Sequence, residues 1–205
     1  LVYSLVTAIT VTACCTLVAY PVAYILARSD IKKKNVLLVL FIAPMWINFT
    51  LRVVALKEVL TMVEGNLAYH PFLNTVLGMT YDFLPFMILP LYTTLEKLDK
   101  SYLEAAADLG ASPVITFMKV TLPLSMPGLI SGVTMVFLPS MTNYVILDML
   151  YNSTYIMGSL IGSYFHAYDW NSGSMISIVL LAIIFLVTWA TNGFSEEATT
   201  RGAFL

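Results

Sequence analysis

Apolar residues follow one another in runs long enough to cross a bilayer, and no other feature of this chain limits its fold so strongly. Residues 2–27 contain no charged side chain at all. A hydrocarbon layer about 30 Å thick is crossed by roughly 20 helical residues, and backbone polar groups inside it must be satisfied within helices or closed barrels. The runs are continuous rather than alternating, so helices are expected. Of the 205 residues 59% are hydrophobic and only 11% charged, against roughly 25% charged in a soluble domain. Lipid is therefore the solvent for much of the surface, and the expected fold class is an all-α membrane protein.

Five spans are predicted, at about 3–27, 36–56, 72–95, 127–147 and 174–194, within a single transmembrane domain over 1–205. The chain opens at Leu1 without an initiator Met and runs directly into the first apolar stretch, so an earlier segment is expected to be missing. That stretch has no small-residue cleavage site and is too long for a signal-peptide apolar region. The first connector, Arg28-Ser-Asp-Ile-Lys-Lys-Lys-Asn35, carries four basic residues and is assigned to the cytoplasm by the positive-inside rule. Alternation then puts 57–71 and 148–173 outside, and 96–126 and the tail from 195 inside. Arg28, Lys32, Lys33, Lys34, Lys97, Lys100, Lys119 and Arg201 fall inside under this assignment, Arg52 and Lys57 toward the outside.

Net charge is −2, which gives no case for nucleic acid. Cys14 and Cys15 are adjacent in an apolar run, a poor arrangement for a disulfide or a metal, and read as small apolar fillers. Pro21, Pro44, Gly78, Pro85, Pro90, Gly128, Gly132 and Pro139 lie in the spans, where such residues permit close helix approach or local breaks. Pro85 and Pro90 in one span predict a kinked third helix.

Residues 96–126 are too polar in their first half to cross a membrane and too patterned for a slack loop. Leu98, Tyr102, Ala105, Ala106 and Leu109 fall at helical spacing, predicting an amphipathic helix of about four turns. Gly110 supplies a left-handed helix end, Ser112 an N-cap and Pro113 a first helical residue, so a second short helix is expected to run to about Val120, closed by Pro123.

This helix-turn-helix resembles the EAA motif of ABC-importer permeases: Glu-Ala-Ala, three residues, Gly, nine residues, Ile, one residue, Leu-Pro. Glu104, Ala105, Ala106, Gly110, Leu122 and Pro123 match in register, with Val120 in place of the Ile. The resemblance implies that the segment is the coupling element docking in a cleft of a cytoplasmic ATPase subunit. Stretches 44–52, 84–92, 95–101 and 122–128 are similar to the B-type permeases of spermidine/putrescine importers. Such permeases usually have six spans, so the first would be absent here, and the outer loop at 57–71 is shorter than in that family.

The resemblance implies a type I ABC-importer permease fold and a bacterial cytoplasmic-membrane subunit with its C-terminus inside. Its implied partners are a second related permease, two ATPase subunits, an extracellular or periplasmic solute-binding protein and membrane lipid. ATP and Mg2+ would be used by the ATPase subunits, and no cofactor is expected on this chain. No phosphate-gripping loop, zinc spacing or Ser-His-Asp set occurs in the sequence, so no enzyme activity of its own is expected.

A polyamine path calls for carboxylates and aromatic faces. Asp82, flanked by Tyr81 and Phe83, is the carboxylate best placed near membrane depth, either lining the path or else pairing with Arg52 or sitting in the wet outer headgroup zone. Trp46, Tyr144 and Asp148 are further path candidates or interfacial anchors. Tyr164, His166, Tyr168, Asp169 and Trp170 cluster in the outer segment as binding-protein contacts or as rim decoration, and His166 and His70 are too isolated for a metal site. An inorganic anion or ferric ion as cargo, and a membrane anchor or channel as class, stay open as alternatives.

Overall fold

The computed structural model describes residues 2–29, 34–151 and 156–203, without the side chains of Asn35, Tyr151 and residues 190–203. Every regular element among them is helical. The order is α1 (Val2–Arg28), α2 (Lys34–Ile42), a 3-10 turn (Ala43–Trp46), α3 (Phe49–Glu64), α4 (Pro71–Lys97), α5 (Ser101–Asp108), α6 (Pro113–Thr116), a π turn (Phe117–Thr121), α7 (Leu122–Thr142), α8 (Val145–Tyr151), α9 (Met157–His166) and α10 (Trp170–Ala203). Lys32 and Lys33 of the basic connector lie outside the described residues, as does the side chain of Arg201.

The centre of the molecule is the bundle of α1, α4 and α7. Tyr3 meets Phe72 edge-on at 6.0 Å near the start of both helices, and Arg28 Nη1 donates to Leu98 O at 3.3 Å near their ends. Helices α1 and α4 therefore run parallel. Helix α7 runs against them: Ser125, in its second turn, meets Tyr20 near the end of α1 at 2.7 Å. Small residues allow these approaches. Ala8, Cys15, Ala19 and Ala23 of α1 are fully buried, and Gly128 and Gly132 of α7, four residues apart, face α4. A Cβ on Gly128 would overlap the Thr94 side chain and approach Pro90 O to 2.7 Å; one on Gly132 would come within 2.6 Å of Met87 Sδ. Without a hydrophobic driving force between helices in lipid, such close backbone contact supplies the attraction. Cys15 is buried and Cys14 half-buried, both as free thiols, in keeping with their reading as fillers.

Among the described residues four helices are long and apolar enough to cross a membrane, and there are five if the bent pair α2 and α3 is counted as one. The second span is thus not the unbroken helix expected over 36–56. Helix α2 gives way to the 3-10 turn at Pro44, whose ring removes a backbone donor. Ile47 is extended, and Asn48 restarts the chain as the N-cap of α3, its Oδ1 accepting from Thr50 N at 2.9 Å. The two halves are bent by 99°. Helix α3 continues to Glu64 and stops at Gly65 with φ 77°, so the expected loop 57–71 shrinks to residues 65–70. Asn74 Nδ2 holds that turn, donating to Glu64 Oε2 and Leu67 O at 2.6 and 2.9 Å.

Other expectations also differ. The candidate fourth crossing runs over Pro113–Thr142, with α7 its part from Leu122, rather than over 127–147. Pro123 does not close a helix; it sits in the first turn of α7, where it is well tolerated. The expected outer loop 148–173 is largely helical: it contains the end of α8, then α9 and the start of α10, with residues 152–155 outside the described part. Helix α9 is pinned to the first turn of α1, where Met157 N donates to Ser4 Oγ at 3.0 Å. Helix α10 runs from Trp170 to Ala203, and the stretch of it apolar enough to cross a membrane is Trp170–Trp189, against the expected 174–194. Helix α4 runs on without interruption through Pro85 and Pro90.

Candidate functional site: an uncovered helix-turn-helix and a buried ion pair

Helix α5 begins late. Leu98 is extended and Asp99 Oδ1 accepts from Ser101 N at 3.0 Å, which holds the Asp99 carboxyl below its ordinary range and leaves eight helical residues instead of the expected four turns. The helix closes by paired bonds, Gly110 N to Ala107 O at 2.9 Å and Ala111 N to Ala106 O at 3.0 Å, with Gly110 at φ 75°. This six-to-one and five-to-two pattern requires a left-handed residue, and glycine supplies it without strain. Ser112 Oγ then accepts from Ile115 N at 3.4 Å and Pro113 takes the first helical position, as expected.

The apolar face expected on α5 is mostly left open by this chain. Ala106 is buried and Leu98 half-buried, whereas Tyr102 and Ala105 are exposed and Leu109 is 88% exposed. Beyond the turn, Val114 is 72% exposed and Met118 is also open. Of the motif residues Glu104, Gly110 and Pro123 are exposed and Leu122 is half-buried. The two arms thus present apolar side chains on either side of a glycine turn. The uncovered set reaches past α5 to Val114 and Met118, which helical spacing over 98–109 alone did not identify.

In the middle of α4 the structure pairs Asp82 with Arg52 of α3, Oδ1 to Nη2 at 2.6 Å, with side chains only 4% and 8% exposed. These are the buried charged side chains among the described residues. The guanidinium also lies 6.0 Å from the Phe49 ring centroid, and its Nε and Nη1 have no hydrogen-bond acceptor among the described residues. The pair locks α3 to α4. Tyr81 is exposed, while Phe83 is buried edge-on to Phe86 at 6.3 Å; successive helical positions do not share a face, so Tyr81, Asp82 and Phe83 do not converge. Trp46 is 79% exposed at the break between α2 and α3, Tyr144 is half-buried, and Asp148 is exposed on α8. No hydrogen bond, ion pair or ring contact among the described residues joins these three to Asp82.

Between α9 and α10 the Phe165 and Trp170 rings meet at 5.5 Å, tilted by 56°, and Tyr168, at φ 58°, meets Trp170 at 6.5 Å. Asp169 Oδ1 accepts from Ser172 N at 3.1 Å at the start of α10, which keeps its carboxyl below the ordinary range. His166 is exposed and Tyr164 half-buried.

The profile of the family described as binding-protein-dependent transport system inner membrane component matches residues 19–196. The spermidine/putrescine transport system permease protein PotB of Escherichia coli K12 is 36% identical over 211 residues, covering 94% of this chain and 77% of the relative. The same-named protein of Haemophilus influenzae is 36% identical over 200 residues, covering 88% and 70%. A PotB homolog of Mycoplasma pneumoniae is 34% identical over 156 residues, covering 71% and 54%. Among solved structures, the MetNI methionine ABC transporter, crystallised in inward-facing conformations, matches with a TM-score of 0.72 at 16% identity, over 96% of this chain and 93% of that one. At that identity the likeness speaks for the fold, and it is the ABC-importer permease fold implied by the motif. The bundle, the helix-turn-helix and these matches agree: the chain belongs to the binding-protein-dependent transport system inner membrane components, the permease subunits of ABC importers.

Proposed function

We propose that this chain, with a second related permease subunit, forms the translocation path of an ATP-driven importer for polyamines in the bacterial cytoplasmic membrane. A binding protein delivers the solute from outside, and two cytoplasmic ATPase subunits seat on the segment 101–121. ATP and Mg2+ belong to those ATPase subunits, and this chain contributes no catalytic group. The observation that carries the reading is the uncovered apolar surface of Leu109, Val114 and Met118 around the Gly110 turn. Leu109 lies outside every candidate span among the described residues, and Val114 and Met118 stand in the first turns of the helix that forms the fourth; such a surface at the end of the spans calls for a protein partner. Glu104, Ala105, Ala106, Gly110, Leu122 and Pro123 make up the ATPase contact or support it.

Contacts at one end of the bundle support the proposed orientation. Arg28 reaches Leu98 O and Lys34 pairs with Glu96 at 3.0 Å, so the basic connector and the helix-turn-helix share a side. The positive-inside rule assigns that side to the cytoplasm, and a fifth crossing leaves the C-terminus there too. Polyamine cargo rests on the relatives' names and on the carboxylate and aromatic groups Asp82, Tyr81, Phe83, Trp46, Tyr144 and Asp148 as path residues. Because Arg52 neutralises Asp82, a path role for Asp82 requires the pair to open during the cycle.

The test is reconstitution with the encoded partners in proteoliposomes. ATP-dependent uptake of labelled spermidine or putrescine, competed by the unlabelled amine and not by unrelated solutes, is expected. Uptake of another solute unaffected by excess polyamine would overturn the cargo, and wild-type uptake by Asp82→Asn would remove Asp82 from the path.

A further inference from the structure

The helix-turn-helix is joined to the bundle by something other than a loop. From Pro113 to Thr142 the chain is one helix, interrupted only by the π turn Phe117–Thr121, where Leu122 N donates to Phe117 O five residues back. Single π turns inside helices are rare and recur at functional positions. Two further observations fall on this turn. Phe117 lies edge-on to both Tyr20 and Tyr24 of α1, with ring centroids at 5.5 and 6.0 Å and interplanar angles of 82° and 87°. Tyr20 and Tyr24 are four residues apart and so stand one above the other on α1, gripping the ring from two levels. One turn on, Ser125 Oγ donates to Leu122 O at 3.0 Å, so the Tyr20 hydroxyl donates to Ser125 Oγ at 2.7 Å.

Thr121 is the second observation. Thr7, Thr12, Thr16 and Thr134 each satisfy their hydroxyl on the carbonyl four residues back, at 2.7–2.9 Å. Thr121 is 1% exposed, and its hydroxyl has no hydrogen-bond partner among the described residues. Thr80, in the uninterrupted α4, also has a buried hydroxyl without a partner among the described residues, but Thr121 is the one at the π turn, where Phe117 O accepts from Leu122 N. Closing the turn to ordinary α geometry would rotate the residues before it relative to α7 and offer Phe117 O to Thr121. A buried hydroxyl left unpaired in one arrangement and paired in another biases a two-state element.

We propose that Phe117 is a positioning residue for coupling: seated between Tyr20 and Tyr24, it makes the π turn hand movements of the helix-turn-helix to α1 as well as to α7. The inference rests on reading the exposed side chains of the helix-turn-helix as the ATPase contact, a surface to which Phe117, half-buried against α1, does not belong. A push on the exposed arms otherwise reaches the bundle only at the segment's ends, at α4 through residues 98–100, where Arg28 of α1 also bonds Leu98 O, and at α7 through the π turn. With Phe117 in its seat the π turn itself also reaches α1, at Tyr20 and Tyr24.

The test uses the whole reconstituted transporter with Phe117→Leu and Phe117→Tyr. It reads ATPase copurification, basal ATP hydrolysis, and labelled spermidine taken up per ATP hydrolysed in the presence of loaded binding protein. Phe117→Leu is expected to copurify the ATPase as wild type does and to hydrolyse ATP at the basal rate within about twofold. Its uptake per ATP should fall at least about fivefold, and Phe117→Tyr, which keeps the ring, should recover most of it. A wild-type ratio in Phe117→Leu, or equal impairment in both variants, overturns the proposal. If Phe117→Leu does not assemble, Tyr24→Leu removes one wall of the seat, and an unchanged ratio there overturns it equally. Failure of the wild-type chain to copurify the ATPase would instead sink the underlying reading of the segment.

Discussion

Gly128 and Gly110 sit in regions that use apolar residues in opposite ways. At Gly128, α7 lies so close to α4 that a Cβ would run into Thr94 and the Pro90 carbonyl; at Gly110 nothing lies within 4 Å, and the residue is needed for its φ of 75°. Around Gly128 apolar side chains are consumed inside the chain, as at Met87, Leu91 and Leu95. Around Gly110 Leu109 and Val114 are left bare. One region is built to be complete by itself, and the other is completed by a partner. Damage should therefore separate into loss of the permease and loss of its ATPase.

The sharpest way to break the first region is Gly128→Val. The obstructing Pro90 carbonyl is backbone and cannot rotate away, so α4 and α7 must part, and nearly all folded permease should disappear from membranes by size-exclusion profile. Arg52→Ala comes next. It leaves Asp82 as an uncompensated buried charge, a change that costs about 3–5 kcal/mol, and should lower the detergent melting temperature sharply. Arg52→Met with Asp82→Leu should recover most of that loss, since two apolar groups replace the pair. In the second region Gly110→Val forces a β-branched residue into left-handed backbone at a cost of about 1–2 kcal/mol. Folded permease should remain abundant while ATPase copurification falls about tenfold. Ser112→Ala is the mildest, removing an N-cap worth about 1 kcal/mol, and should weaken ATPase binding only a few-fold. If Gly110→Val removed the folded protein as Gly128→Val does, the contrast between the regions would fail.

The runs at 3–27, 72–95 and 174–194 were legible because lipid demands length and apolarity, both local properties of sequence, and they overlap the candidate crossings Val2–Arg28, Pro71–Lys97 and Trp170–Trp189. Gly110, Ser112 and Pro113 were legible because turn and cap chemistry is set by the residue itself. The 99° break was not: Pro44 was visible, but an apolar run over 36–56 reads the same straight or bent, and Asn48 restarts the helix only because the chain stops at Ile47. Proline misled at Pro123, which ends a helix in its interior and opens one in its first turn. Arg52 and Asp82 are thirty positions apart, so sequence offered their pairing as one of two readings. Phe117 gave no signal, because its seat lies on α1 almost a hundred positions away and the π turn leaves no mark in composition.

Cysteine cross-linking tests the central claim most directly, because two equally bare apolar residues are assigned different surroundings. In a background lacking Cys14 and Cys15, Leu109→Cys should form a cross-link to the ATPase subunit in native membranes, whereas Ile178→Cys, exposed on the membrane-spanning part of α10, should form none. A Leu109→Cys chain that cross-links no ATPase in an assembled, transporting complex would contradict the account.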